Sequence, residues 1–278
     1  MWTVGVVCRA GILNGADSGT TIQPMATKRK RPSRLPAPYL RRVWLDESRV
    51  DDPDFYPFCL PFLKGGFVLE FDKAVTIIVG ENGAGKSTLL EGIAVLAGYD
   101  EAGGGKGYRP VDHSQASEVM GGTLSKALRA SWLPKITSGW FFRAESFFSV
   151  ARCLDLMGSD SDYLSHSHGE GFLRFFEERC RGEGIFILDE PESALSPSRQ
   201  IEFLKLLHRL DRSRQTQIIM ATHSPMLMAY PNARLLKLTK YGLEQTTLED
   251  TDHFRLMREF FQSPKDFLDA WVDWESET

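Results

Sequence analysis

The stretch Gly80-Glu-Asn-Gly-Ala-Gly-Lys-Ser-Thr88 decides how the rest of this chain is read. It fits the phosphate-loop pattern GxxxxGK[ST] in full, follows the run Val75-Thr-Ile-Ile-Val79, and precedes the helical STLLEGIAVLA that Gly98 closes. A run without polar alternation reads as a strand buried on both faces, so the local order is strand, loop, helix. A chance glycine-rich turn is the alternative; the strand before it and the helix after it favour a phosphate cradle. In such a cradle, running through Gly80, Asn82, Gly83, Gly85 and Thr88, the glycines let backbone N–H groups curl around phosphates. Lys86 pairs with the β- and γ-phosphates, Ser87 is placed to ligate Mg2+, and the helix N-terminus favours negative charge.

A second signal lies about a hundred residues on, where Ile185-Phe-Ile-Leu-Asp189-Glu190-Pro-Glu192 delivers two adjacent carboxylates to the end of another apolar strand. Open α/β sheets bind ligands at such ends. Asp189 is placed to hold Mg2+ and Glu190 to orient and deprotonate a water. By itself an acidic pair after a strand is more often a solvated turn.

Working outward, strands are expected at YLRRVWL from Tyr39, at GFVLEF (66–71), at GWFFR (139–143), at GIFIL (184–188) and at QIIMAT (217–222). Helices are expected at SKALRAS (125–131), SFFSVARCLDLM (146–157), GFLRFFEERC (171–180) and SRQIEFLKLLHRL (198–210). ARLLKLTKYGLEQTTL (233–248) reads as a hairpin, followed by a helical C-terminal region. Strands alternating with helices predict an α/β fold, a P-loop type with a mostly parallel central sheet, an antiparallel N-terminal portion and a short helical subdomain. The expected organisation is a flexible basic, proline-rich tail over residues 1–38, one domain over 39–262 with a helical insertion at about 99–180, and a helix end with an acidic tail over 263–278. Met25 offers a second candidate start, and an ordinary disordered extension is the other reading of what precedes it.

The 278 residues are 42% hydrophobic, enough to build a real core. A net charge of -4 excludes wholesale electrostatic binding to nucleic acid, so any such contact needs a local patch. Lys28, Arg29, Lys30, Arg31, Arg34, Arg41 and Arg42, with no intervening acid, form one candidate; a merely solubilising tail is the commoner meaning of such a run. The four cysteines follow no metal-like spacing and read as thiols in a reducing compartment. With no apolar run of about 20 residues and Arg9 interrupting the N-terminal apolar stretch, the expectation is a cytoplasmic protein without a membrane span.

Taken together, GENGAGKST, ILDEPESALSP and ATHSP resemble the Walker A, the Walker B with its D-loop, and the H-loop of ABC-type ATPases, in matching order over about Tyr39 to Asn232. The resemblance implies a magnesium-dependent ATP hydrolase that sandwiches ATP between two copies of itself, with Glu190 catalytic and His223 contacting the γ-phosphate. It also implies that Ser193 to Ser196 signal between subunits. The family's signature loop aligns with Leu164-Ser-His-Ser167-His168-Gly169-Glu170-Gly171, placing Ser167 and Gly169 against the partner's nucleotide. In place of the family's Q-loop glutamine stands Glu145, a candidate Mg2+ contact or an exposed turn acid.

The missing glutamine, the altered signature and the phrase RAESFF resemble small stand-alone bacterial ATPases of the AAA or predicted ABC type, related to SMC and RecF-like heads. Fewer than seventy residues separate Gly98 from the signature loop, with no heptads, which excludes a long coiled coil. The preferred expectation is a dimeric ATPase serving a nucleic-acid maintenance or defence complex. An ATP-switched scaffold acting on an unidentified effector protein, and a transporter motor, are the alternatives.

Overall fold

The computed structural model describes residues 35–106, 121–143 and 168–271. Its strands are β1 (Leu40–Leu45), β2 (Val68–Glu70), β3 (Val75–Val79), β4 (Gly104–Gly105), β5 (Leu128–Trp132), β6 (Gly139–Arg143), β7 (Gly184–Asp189), β8 (Thr216–Ala221), β9 (Arg234–Thr239) and β10 (Gly242–Gln245). Its helices are α1 (Lys86–Ala97), α2 (Gly121–Ala127), α3 (His168–Arg179), α4 (Pro197–Ser213), α5 (Pro225–Met228), α6 (Asp252–Gln262) and α7 (Pro264–Trp271).

The main sheet runs β10-β9-β3-β8-β7-β6-β4. The strands from β9 to β6 are parallel to their neighbours, while β10 and β4 join antiparallel at the edges. Every residue of β3, β7 and β8 is buried, as expected of strands covered on both faces. Their side chains divide by the period of two. Ile78, Ile185, Ile187 and Ile219 join the core beneath α1 and α2, and Ile77, Phe186, Leu188 and Met220 join the one beneath α3 and α4. Aromatic rings fill the second core: Phe176 lies 4.9 Å from Phe142 and 5.1 Å from Phe203, and Trp140 lies 5.4 Å from Phe175. Such pairs each contribute about 0.5–1.5 kcal/mol beyond area burial, and here they fix α3 against the sheet.

A small antiparallel sheet, β2-β1-β5, lies apart from the main one. It holds the chief difference from the expected elements. The segment SKALRAS is helical only to Ala127; from Leu128 the chain pairs with β1, Leu128 opposite Leu45 and Trp132 opposite Leu40. The buried side chain of Leu128 and the ladder to β1 outweigh the helical preference of Lys, Ala and Leu, as tertiary context commonly does. The expected hairpin is β9–β10, and Gly98 caps α1 at φ 90°. The expected helix at 146–157, the tail up to Arg34 and the acidic end lie outside the described residues. No helix among the described residues is long and apolar enough to cross a membrane.

Candidate functional site

Three neighbouring strands, β3, β8 and β7, end in line at one edge of the sheet, Ile78 and Asp189 both facing Ala221 across the ladder. The phosphate loop leaves β3, the Asp189-Glu190 pair closes β7, and His223 follows β8. Residues far apart in sequence therefore meet because three parallel strands share a register.

The loop depends on glycine at two positions. Gly83 and Gly85 take φ 76° and 95°, the left-handed region that other residues enter at a cost, and Gly85 is the N-cap of α1. A Cβ on Gly85 would also lie 2.8 Å from the buried ring of Phe62, which supports the loop from below. Lys86 is buried, and its Nζ donates to the carbonyls of Gly80 (2.8 Å) and Glu81 (3.0 Å). Burial pushes its pKa down, while the carboxylates of Glu190, Asp189, Glu81 and Glu192 push it back up. Ser87 Oγ donates to Asp189 Oδ1 at 3.2 Å, joining the loop to β7. A hydroxyl and a carboxylate together are the hard oxygen donors that Mg2+ takes, so this pair fits that ion.

Asp189 is buried, with Arg143 Nε 3.8 Å from its Oδ2, and the same guanidinium donates to Glu91 on α1 at 2.6 Å. Glu190 stands in the left-handed region at φ 49°, ψ 55°, a conformation that costs a non-glycine residue roughly 1–3 kcal/mol and recurs at reactive sites. Its Oε1 lies 3.3 Å from His223 Nε2, close enough for an ion pair but not aligned as a hydrogen bond. That buried nitrogen has no hydrogen-bond partner among the described residues, which leaves it for a ligand oxygen. Burial, then the Lys86 ammonium, hold the His223 pKa below its ordinary value, with Glu190 opposing them.

Glu192 clamps the loop after β8: it accepts from the His223 backbone N–H and, at 2.8 Å, from Thr222 Oγ1. Burial raises the Glu192 pKa despite these bonds. Ser224 donates to Gln200, and Gln200 Nε2 donates to the Leu195 carbonyl, so hydrogen bonds join the Ser193–Ser196 segment to the His223 loop. At the start of α3, a Cβ on Gly169 would sit 3.1 Å from the Ala194 carbonyl, placing that helix end beside the same segment. Ser167 and Glu145 lie outside the described residues.

Several residues here carried no signal in the sequence. Arg143, Glu91, Glu192 and His253, whose Nε2 is 2.7 Å from His223 Nδ1, are brought in by tertiary contact. Tyr56 hydrogen-bonds Thr88 through its hydroxyl. His223→Ala is expected to lower turnover by roughly 10²-fold while nucleotide affinity stays within several-fold, measured by phosphate release and nucleotide titration.

Two family models match the chain: one described as "AAA domain" over residues 58–124, and one as "AAA domain, putative AbiEii toxin, Type IV TA system" over residues 165–229. Among curated relatives, the thiamine import ATP-binding protein ThiQ of Haemophilus ducreyi is 29% identical over 175 residues, covering 56% of this chain and 80% of that protein. The hemin import ATP-binding protein HmuV of Burkholderia thailandensis is 27% identical, covering 59% of this chain and 74% of that protein. Among solved structures, the SMC head domain of Thermotoga maritima aligns with a TM-score of 0.41 at 16% identity, over 75% of this chain and 98% of that one. The cbiO1 structure from Clostridium perfringens aligns with a TM-score of 0.39 at 18% identity, over 74% and 91%. The domain matches at both halves of the site, the curated relatives, and a phosphate loop set on a mostly parallel sheet make the chain similar to the ABC-type P-loop ATPases.

Proposed function

We propose that this chain binds Mg-ATP and hydrolyses it to ADP and phosphate, closing on each turnover as a homodimer. The observation that carries the reading is the convergence of Lys86, Ser87, Asp189, Glu190 and His223 on one edge of the sheet. Backbone N–H groups from Gly80, Asn82, Gly83 and Gly85 would surround the β- and γ-phosphates. Lys86 would exchange its two carbonyl partners for phosphate oxygens, with Thr88 at the rim. Ser87 and Asp189 would hold Mg2+, which when bound neutralises charge on the phosphate oxygens; Glu145 is the proposed third contact.

Glu190 then accepts a proton from the attacking water as the water oxygen bonds to the γ-phosphorus and the bond to the β-phosphate oxygen breaks. His223 Nε2 donates to the γ-phosphate, where charge develops, and Glu192 keeps the His223 backbone in place. Ser167 and Gly169 of a second copy are proposed to close over the γ-phosphate, aided by the N-terminus of α3.

We assign the output of this cycle to a nucleic-acid maintenance or defence complex with a separate effector protein. The basic run from Lys28 to Arg42 supports this, as does the toxin–antitoxin system in one family description. Of its basic residues, Arg41 and Arg42 lie on β1 and the others lie outside the described residues. The names of the curated relatives favour a second reading, a motor for an importer. A pull-down from the native host separates the two: an integral membrane partner supports the second, an effector or nucleic-acid partner the first.

The dimer is tested by light scattering. With saturating Mg-ATP, Glu190→Gln should double its mass, because unhydrolysed ATP binds the dimer better than the monomers. Adding Ser167→Arg should return it to the monomer without loss of ATP affinity. A Glu190→Gln chain that binds ATP and stays monomeric would contradict the composite site.

A further inference from the structure

His253 is the second residue of α6 and lies thirty residues beyond His223, yet its Nε2 is 2.7 Å from His223 Nδ1, with the ring centroids 4.7 Å apart. Two neutral imidazoles at that distance share one hydrogen, and the far edge of His223 decides which ring supplies it. His223 Nε2 is buried 3.3 Å from the Glu190 carboxylate. A bare nitrogen there would set its lone pair against a negative oxygen, whereas an Nε2–H faces that charge with its proton. With the proton on Nε2, Nδ1 is the acceptor, so the donor must be His253.

The backbone carrying His253 is held for this task. Thr251, almost wholly buried, caps α6, accepting from Phe254 N. Asp252 pairs with Lys237 of β9 at 2.6 Å, and Arg255 reaches back to Asp250 at 2.7 Å and to the Glu249 carbonyl. The first turn of α6 is thus tied to the sheet from which the phosphate loop springs. The charged groups facing the pair are Lys86, Glu190 and Glu81 around His223, and Asp252 and Lys237 beside His253.

We infer that His253 is a positioning residue, which holds His223 in its Nε2–H tautomer and aims that N–H at the γ-phosphate position beside Glu190. The inference rests on the ATPase reading for its purpose, and on geometry alone for the tautomer. It makes the start of α6 part of the nucleotide site, since withdrawing His253 would free His223 Nδ1 to take the proton that Nε2 presents.

The test joins a spectrum to kinetics. Long-range 1H–15N correlation spectra of the nucleotide-free full chain at neutral pH should show His223 protonated on Nε2 and bare on Nδ1. His253→Leu, which removes the donor, should mix the two tautomers and lower kcat roughly tenfold or more with KM little changed, the scale seen when an orienting partner is lost. His253→Gln carries an amide N–H at the same reach and should restore the tautomer and bring kcat within about threefold of wild type. An Nδ1–H tautomer in the wild type overturns the inference. So does an unchanged spectrum and kcat in His253→Leu, or an equal loss in both variants with the tautomer intact. If the wild type hydrolyses no ATP, the proposed function fails, and the spectrum still decides the role of His253.

Discussion

Glu190→Gln is expected to lower ATP turnover by roughly 10³-fold or more while leaving ATP binding within several-fold of wild type. The glutamine amide has the shape of the carboxylate, so the 3.3 Å approach to His223 Nε2 and the left-handed backbone at this position should survive. What is lost is the base: a neutral amide cannot take the water's proton, and general bases contribute about 10²–10⁴-fold. Binding should be spared because the proposed phosphate contacts come from Lys86 and the loop between β3 and α1, not from the end of β7. Single-turnover phosphate release and a nucleotide titration on the same preparation read the two effects separately. Wild-type turnover in this variant would remove Glu190 from the chemistry.

Lys86→Ala should weaken ATP binding by at least roughly 10²-fold. The wild-type ammonium is buried and faces four carboxylates, those of Glu190, Asp189, Glu81 and Glu192. Without it the site would present those charges to a polyanion, and the phosphate oxygens would lose the charged donor proposed for them. A charge-assisted hydrogen bond contributes about 1.5–3 kcal/mol, and each 1.4 kcal/mol is tenfold in affinity, so two such bonds exceed the expected loss. Titration with a fluorescent ATP analogue measures it; unchanged affinity in a folded variant would remove the phosphate-cradle assignment.

The parts of the site that were legible in sequence are those whose chemistry demands contiguous residues. A loop that wraps phosphates must have glycines beside its lysine and hydroxyl, and a strand that delivers carboxylates must be apolar up to its last residue. GENGAGKST and IFILDE show both on their face. What escaped was supplied at a distance. His253 reaches His223 only because α6 folds back over β9, and Arg143 reaches Asp189 and Glu91 only because β6 pairs with β7. Nothing in the local pattern of TDHFRL or WFFRA announces either contact. The fold was legible for the same reason as the site, since VTIIV and GIFIL could be buried only between two layers of helix. The strand at Leu128–Trp132 was hidden because a short polar-apolar mixture takes its state from the partner strand, here β1.

The most direct test of the ATPase reading is phosphate release by the purified full chain from Mg-ATP, set against Glu190→Gln prepared in the same way and shown to bind nucleotide. The account predicts steady release by the wild type that depends on Mg2+ and falls by roughly 10³-fold in the variant. Equal release by both, or none by a wild type that binds ATP, would contradict it.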